Sequence, residues 1–277
     1  MPSTNELIIC GRDEVFIWDL DKIENGIPVK TWSWKAAEQH DLPEEYKGLF
    51  GSTDECKPFD GGSKILICSS GGGFAYIDRK ENRTLFYGKG GNPHSADLLP
   101  GNRVAIALSV GDDRLAIYDL GAPGQPALFS VPFPSAHGVI WDEERKILWA
   151  LCYAELHAYR LADWETASPK LILEKSYPLP DKDGHDFLPV PHTPYISVTT
   201  HERCWIFDRD ARTFASHPDL PSLLEVKSLA KHPVTGRTAY VKAIKGNQWW
   251  SENIRFLNPP GDFHIPGEIF YKARWNA

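Results

Sequence analysis

Five basic residues recur along the chain at intervals of 37 to 48 residues: Lys57, His94, His137, His185 and Lys227. Each stands just before or at the opening of a short apolar run, so each marks the start of a comparable unit. Three imidazoles brought to one point suit two kinds of chemistry. They can hold a divalent metal such as Mn, Zn or Fe, or they can move protons near neutral pH. Protonated lysines do not ligate metal. They would instead neutralise an anionic substrate, most simply a carboxylate. The expected catalytic set is therefore His94, His137, His185, Lys227 and Lys57, with the three histidines as the metal ligands. Asp97 and Asp186 follow closely in their strands and are expected to orient the imidazoles. Four further residues suit substrate binding. Trp249 and Trp250 interrupt a hairpin where a short turn would suffice, and two indoles there offer a platform to a flat ligand or a sugar face. Arg274 and Trp275 are expected at the same entrance, with Arg274 as a second carboxylate clamp. The remaining histidines, His40, His157, His192, His201, His217, His232 and His264, read as polar residues of turns and strands.

The elements that must position these residues are strands. Asn92 to Asp119, NPHSADLLPGNRVAIALSVGDDRLAIYD, reads as three strands joined by tight turns. Comparable triplets begin near Lys57, His137, His185 and Lys227, and a hairpin occupies residues 6 to 20. Asp19, Asp78, Asp119 and Asp208 each follow a strand of the same kind, where a carboxylate can accept N–H groups of the next turn. A four-stranded unit repeated every 40 to 48 residues is the signature of propeller blades. The expectation is all-β: a six-bladed β-propeller forming one domain over residues 1–277. By this count blade one lacks its innermost strand, and Gly267 to Trp275 supplies the outer strand of blade six. The ring is expected to close by apposing the N- and C-terminal segments. Gly71 to Gly73 is a hairpin turn, not a phosphate loop, because no helix and no Gly-Lys-Ser or Gly-Lys-Thr follows. Residues 36 to 56 break the strand pattern; Leu42-Pro-Glu-Glu-Tyr46 suits one helical turn, and the insertion serves either the binding face or a solvated connection.

Composition narrows the function classes. Net charge is −7 and the pI is about 5.8, which disfavours a general nucleic-acid binder. No long apolar run suggests a membrane span, and the first residues lack the pattern of a signal peptide. Five cysteines at 10, 56, 68, 152 and 204, with no Cys-x-x-Cys, fit buried free thiols and a reducing, cytoplasmic setting. No Gly-x-Ser-x-Gly is present to carry a serine nucleophile. The basic rim positions do not suit a paired-carboxylate glycosidase.

The runs HSADLLPGNRVAIA, AHGVIWDEERKILWAL, GHDFLPVP and WWSENIRFLNP resemble a family of uncharacterised bacterial and fungal six-bladed propellers of WD40-like or YVTN-like type. That resemblance covers most of the chain and implies the fold. In site character the histidines are distantly similar to those of propeller polysaccharide lyases, including the manganese-bearing oligogalacturonate lyases. Only the idea of a basic, His-lined uronate site carries over, since those enzymes' own site residues do not map onto this chain. The resulting expectation is a lyase-type enzyme acting by β-elimination on a small anionic, sugar-like ligand, with a divalent metal as the candidate cofactor. The alternatives are a non-catalytic binding scaffold and a metal-dependent hydrolase or isomerase. No nucleic acid, membrane or obligate protein partner is inferred.

Overall fold

The structure is a computed structural model that describes residues 5–244 and 248–276. Six antiparallel sheets of four strands each form a six-bladed β-propeller. The second strand of each blade is apolar on both faces because it is sandwiched between two neighbouring blades. Lys64–Ser69, Arg103–Leu108, Ile147–Leu151 and Tyr195–Thr200 are buried almost throughout. Outer strands such as Lys170–Pro178 and Thr213–Ser216 are largely exposed, Ile172 and Leu173 included. Each of the six gaps between blades holds its own apolar cluster. In the gap between blades four and five, Trp149 meets Phe207 edge-on at 5.3 Å and is fully buried. Truncating such a side chain costs about 3–5 kcal/mol.

The N- and C-terminal segments close the ring as expected, but blade one is complete, which corrects the expectation that it lacks its innermost strand. Its innermost strand is Lys272–Trp275, paired antiparallel with Glu6–Cys10. The outer strand of blade six is Gly261–His264. The chain therefore returns to the centre of the ring instead of ending at its periphery. Gly11 makes room for that return, since a Cβ there would lie 1.9 Å from the Ile269 carbonyl oxygen.

Local expectations hold in the turns. Asp19, Asp78, Asp119 and Asp208 each accept a hydrogen bond from a backbone N–H two or three residues on, at 2.8 to 3.1 Å. The insertion after blade one contains the helical turn Glu44–Lys47. Leu42, Tyr46 and Phe50 anchor it in the cluster between blades one and two, and the Tyr46 hydroxyl reaches the Gly124 carbonyl at 3.3 Å. The segment is packed against the blades, not spread across a binding face. All five cysteines are free and buried. No helix among the described residues is long and apolar enough to cross a membrane.

Candidate functional site at the mouth of the channel

The inner strands run in the same direction along the channel, so their first residues share one mouth. Four of them open with a register irregularity, between Thr53 and Glu55, Pro93 and Ser95, Gly184 and Phe187, and Val226 and Ser228. An extra residue at such a point re-aims its side chain. The residues so placed are Asp54, His94, His185 and Lys227. In blade four, His137 occupies the corresponding place, with its N–H on the Leu151 carbonyl at 2.9 Å. Gly138 and Gly184 flank the histidines where blades crowd together. A Cβ on Gly138 would sit 2.6 Å from the Phe187 Cβ, and one on Gly184 would sit 3.0 Å from the Cys152 carbonyl oxygen.

The ring positions thus gather His94, His137, His185 and Lys227 as expected, but not Lys57. Lys57 pairs with Leu66, three residues deeper than Asp54, and its ammonium donates to Asp97 Oδ2 at 3.1 Å and to the Val139 carbonyl at 2.9 Å. Arg274 and Trp275 also lie away from this mouth. Arg274 is fully buried at mid-channel, bonded to Glu55 at 2.8 and 3.1 Å and to Asp186 at 2.6 and 3.0 Å. Trp275 is buried, and its indole N–H donates to the Ala230 carbonyl at 3.0 Å. Asp97 and Asp186 therefore hold cations, not the histidines. Trp249 does stand at the mouth: 40% exposed, it meets Tyr271 edge-on at 5.3 Å, and Tyr271 in turn meets His94 at 6.5 Å. Trp250 is half-buried, and no ring partner for it is seen among the described residues.

The imidazoles form a row: His94 to His137 at 4.5 Å between ring centroids, His137 to His185 at 5.6 Å, and His185 to His201 at 4.6 Å. Their partners assign the protons. His94 Nδ1 faces the Asn92 carbonyl at 3.1 Å and His137 Nδ1 faces the Ser135 carbonyl at 2.9 Å. A carbonyl only accepts, so Nδ1 carries the proton in both rings and Nε2 keeps its lone pair. The Lys227 ammonium, which only donates, lies 2.8 Å from His185 Nε2. His185 therefore carries its proton on Nδ1, which is buried and has no hydrogen-bond partner among the described residues. The row offers two lone pairs and one N–H donor without an acceptor. Burial lowers the pKa of His94 to about 4 and of His137 to about 3, and it pushes His185 down as well, with Lys227 adding to the effect. All three are neutral at pH 7.

Residues not expected from sequence complete the rim. Asp183 meets His201 Nδ1 at 3.1 Å, and Glu225 meets Lys227 at 3.1 Å and His201 Nε2 at 3.5 Å. Ligand atoms of Asp183, His185 and His201 lie within 4.8 Å of one another. Asp54 is fully buried, bonded to the Ser70 N–H, and burial raises its pKa to about 7. Below the row, Glu55, Asp186, Lys272 and Arg274 fill the channel. Burial alone would raise both carboxyls, but Arg274 and Lys272 hold Glu55 and Asp186 ionised and below the usual range. His217 and His232 behave as turn residues, each Nδ1 accepting two backbone N–H groups.

Residues 11–277 match the model of a family described as "Family of unknown function (DUF6528)". The chain belongs to that family. Membership adds no activity to what the geometry supplies. No curated protein matches the chain. Among solved structures, a chain in the crystal structure of a nidogen/laminin complex superposes with a TM-score of 0.65 at 10% identity, covering 97% of each chain. At that identity the likeness concerns the fold alone, and 1335 solved chains match this one. A fold so widely shared does not identify a function; the site must.

Proposed function

We propose that the histidine-lined mouth binds a small hydroxylated carboxylate, of uronate or sugar-acid type, and that the protein acts on it as a lyase by β-elimination. The observation that carries this reading is the proton pattern of the row. Two imidazole lone pairs can accept from substrate hydroxyls or remove a carbon-bound proton. The unpartnered His185 N–H and the Lys227 ammonium can hold the carboxylate. The Trp249 indole beside Tyr271 suits a sugar face. Lys227 would draw charge from the carboxylate and acidify the proton on the adjacent carbon. His94 or His137 removes that proton, and its electron pair forms the carbon–carbon double bond. The β C–O bond then breaks, and the leaving oxygen takes its proton from the imidazolium just formed on His94 or His137, which returns that ring to its neutral state. An empty site leaves the imidazoles weakly basic, and a bound carboxylate raises their basicity at the moment it is needed.

Uronate oligomers and sugar acids incubated with the protein should yield an unsaturated product, followed by its ultraviolet absorbance. His137→Ala and Lys227→Met should each lower turnover by at least about 100-fold. Silence across the whole panel would remove the elimination reading. A second reading, metal-assisted hydrolysis or isomerisation, is favoured by Asp183, His185 and His201. A metal there would need Lys227 to release His185. Elemental analysis of native protein and of His201→Ala distinguishes the two, because elimination through Lys227 needs no bound metal.

A further inference from the structure

The opposite mouth of the channel is a second concave site. It lies where the inner strands end, around Phe59, Leu188 and Trp275, and encloses a cavity of about 340 Å³. Phe59, Trp141, Leu188 and Trp275 wall it, and Lys57 and Lys231 stand beside those walls. The mid-channel charge network separates it from the histidine row. Its charges are unequal in what they have left to give. An ammonium has three donors, and Lys57 uses two of them, on Asp97 and on the Val139 carbonyl. Lys231 is exposed, and among the described residues no carboxylate lies within ion-pair distance of it. The one acid of the lining, Asp97, already accepts from Lys57 and from the Trp141 N–H at 3.3 Å through the same oxygen. Arg274, at the floor, is saturated by Glu55 and Asp186. A ligand therefore meets aromatic and aliphatic walls, two cationic side chains and a single carboxylate, Asp97, whose charge is already paired with Lys57. Mostly apolar pockets with a few convergent polar groups are the usual form of a small-molecule site.

We propose that this far mouth binds a small amphipathic monoanion, an apolar carboxylate whose head meets Lys57 and Lys231 and whose hydrocarbon part lies among Phe59, Trp141, Leu188 and Trp275. The site is separate from the histidine row and takes a different ligand class. Two of its walls are indoles, so binding should change tryptophan fluorescence directly.

The test uses phenylbutyrate as probe, with phenylbutyramide and phenylbutylamine as uncharged and cationic counterparts. Fluorescence and calorimetric titrations of the full chain should give saturable binding of the acid. The amide should bind at least about tenfold more weakly, and the amine not at all. Lys231→Glu, at an exposed position, should weaken the acid about tenfold. Leu188→Trp, which fills the cavity, should abolish binding in a protein whose melting curve is still cooperative. Absence of saturation by the acid up to about 10 mM would overturn the proposal. So would equal affinity for acid and amide, insensitivity to Lys231→Glu, or binding that survives Leu188→Trp.

Discussion

Arg274 is the group whose loss should be felt most widely. It sits on the inner strand of blade one and ties together side chains from three other blades: Glu55 of blade two, Asp186 of blade five and Ser228 of blade six, the last at 3.2 Å. Replacing it with Met keeps much of the side-chain volume and removes five N–H donors that together make six hydrogen bonds. Two buried carboxylates would then keep one ion-pair partner between them among the described residues, Lys272 at 3.5 and 3.6 Å. Breaking a buried charge pair from one side costs about 3–5 kcal/mol. For a chain of this size that lowers the melting temperature by about 10 °C. Thermal and urea melts of Arg274→Met at pH 7 measure it. The sharper check is a cycle with Asp186→Asn. Once the carboxylate is neutral, deleting the guanidinium should cost less than half as much, a coupling of roughly 1–3 kcal/mol. Additive losses within about 0.5 kcal/mol would refute the idea that these residues act as one charge-balanced unit.

Other outcomes follow from the same geometry. Deleting residues from 271 onward strips blade one of its inner strand, so the product should lack a cooperative melt by circular dichroism. Asp54 binds its proton more tightly folded than unfolded. Its contribution is therefore complete below the unfolded value near 3.8 and fades as pH rises towards 7, on the order of 4 kcal/mol in all. Asp54→Asn should flatten that part of a stability–pH curve and make the variant the more stable protein at pH 8. Trp249→Ala should weaken binding of any sugar-acid ligand by roughly tenfold while leaving the melting temperature within about 2 °C of native, since that indole is 40% exposed.

The fold was legible because its signals are local. Strand alternation, the Asp-capped turns and the near-constant spacing of units all survive in a single sequence. Closure by the two terminal segments was legible, but the blade that takes the last strand was not, because Ala273 and Arg274 have the same composition whether they edge blade six or line blade one. That one ambiguity hid Lys272 and misplaced Arg274 and Trp275. Three histidines and Lys227 were legible from their recurrence. Lys57 was misjudged because the irregularity after Thr53 inserts a residue that no apolar pattern reveals, and Asp54 takes the place instead. His201, Asp183 and Glu225 gave no signal at all. They sit on turns, and only the packing of blades five and six brings them to the rim.

The return of Lys272–Trp275 to the centre sets an order on biosynthesis. Glu55 and Asp186 leave the ribosome long before Lys272 and Arg274 do. Until those cations emerge, a nascent ring lacking one strand of blade one would have to bury two carboxylates without the ion pairs that neutralise them. The growing chain is thus discouraged from closing early. The same late arrivals that lock the ring also release the electrostatic brake on its collapse, so assembly of both mouths waits for the synthesis of Lys272–Trp275.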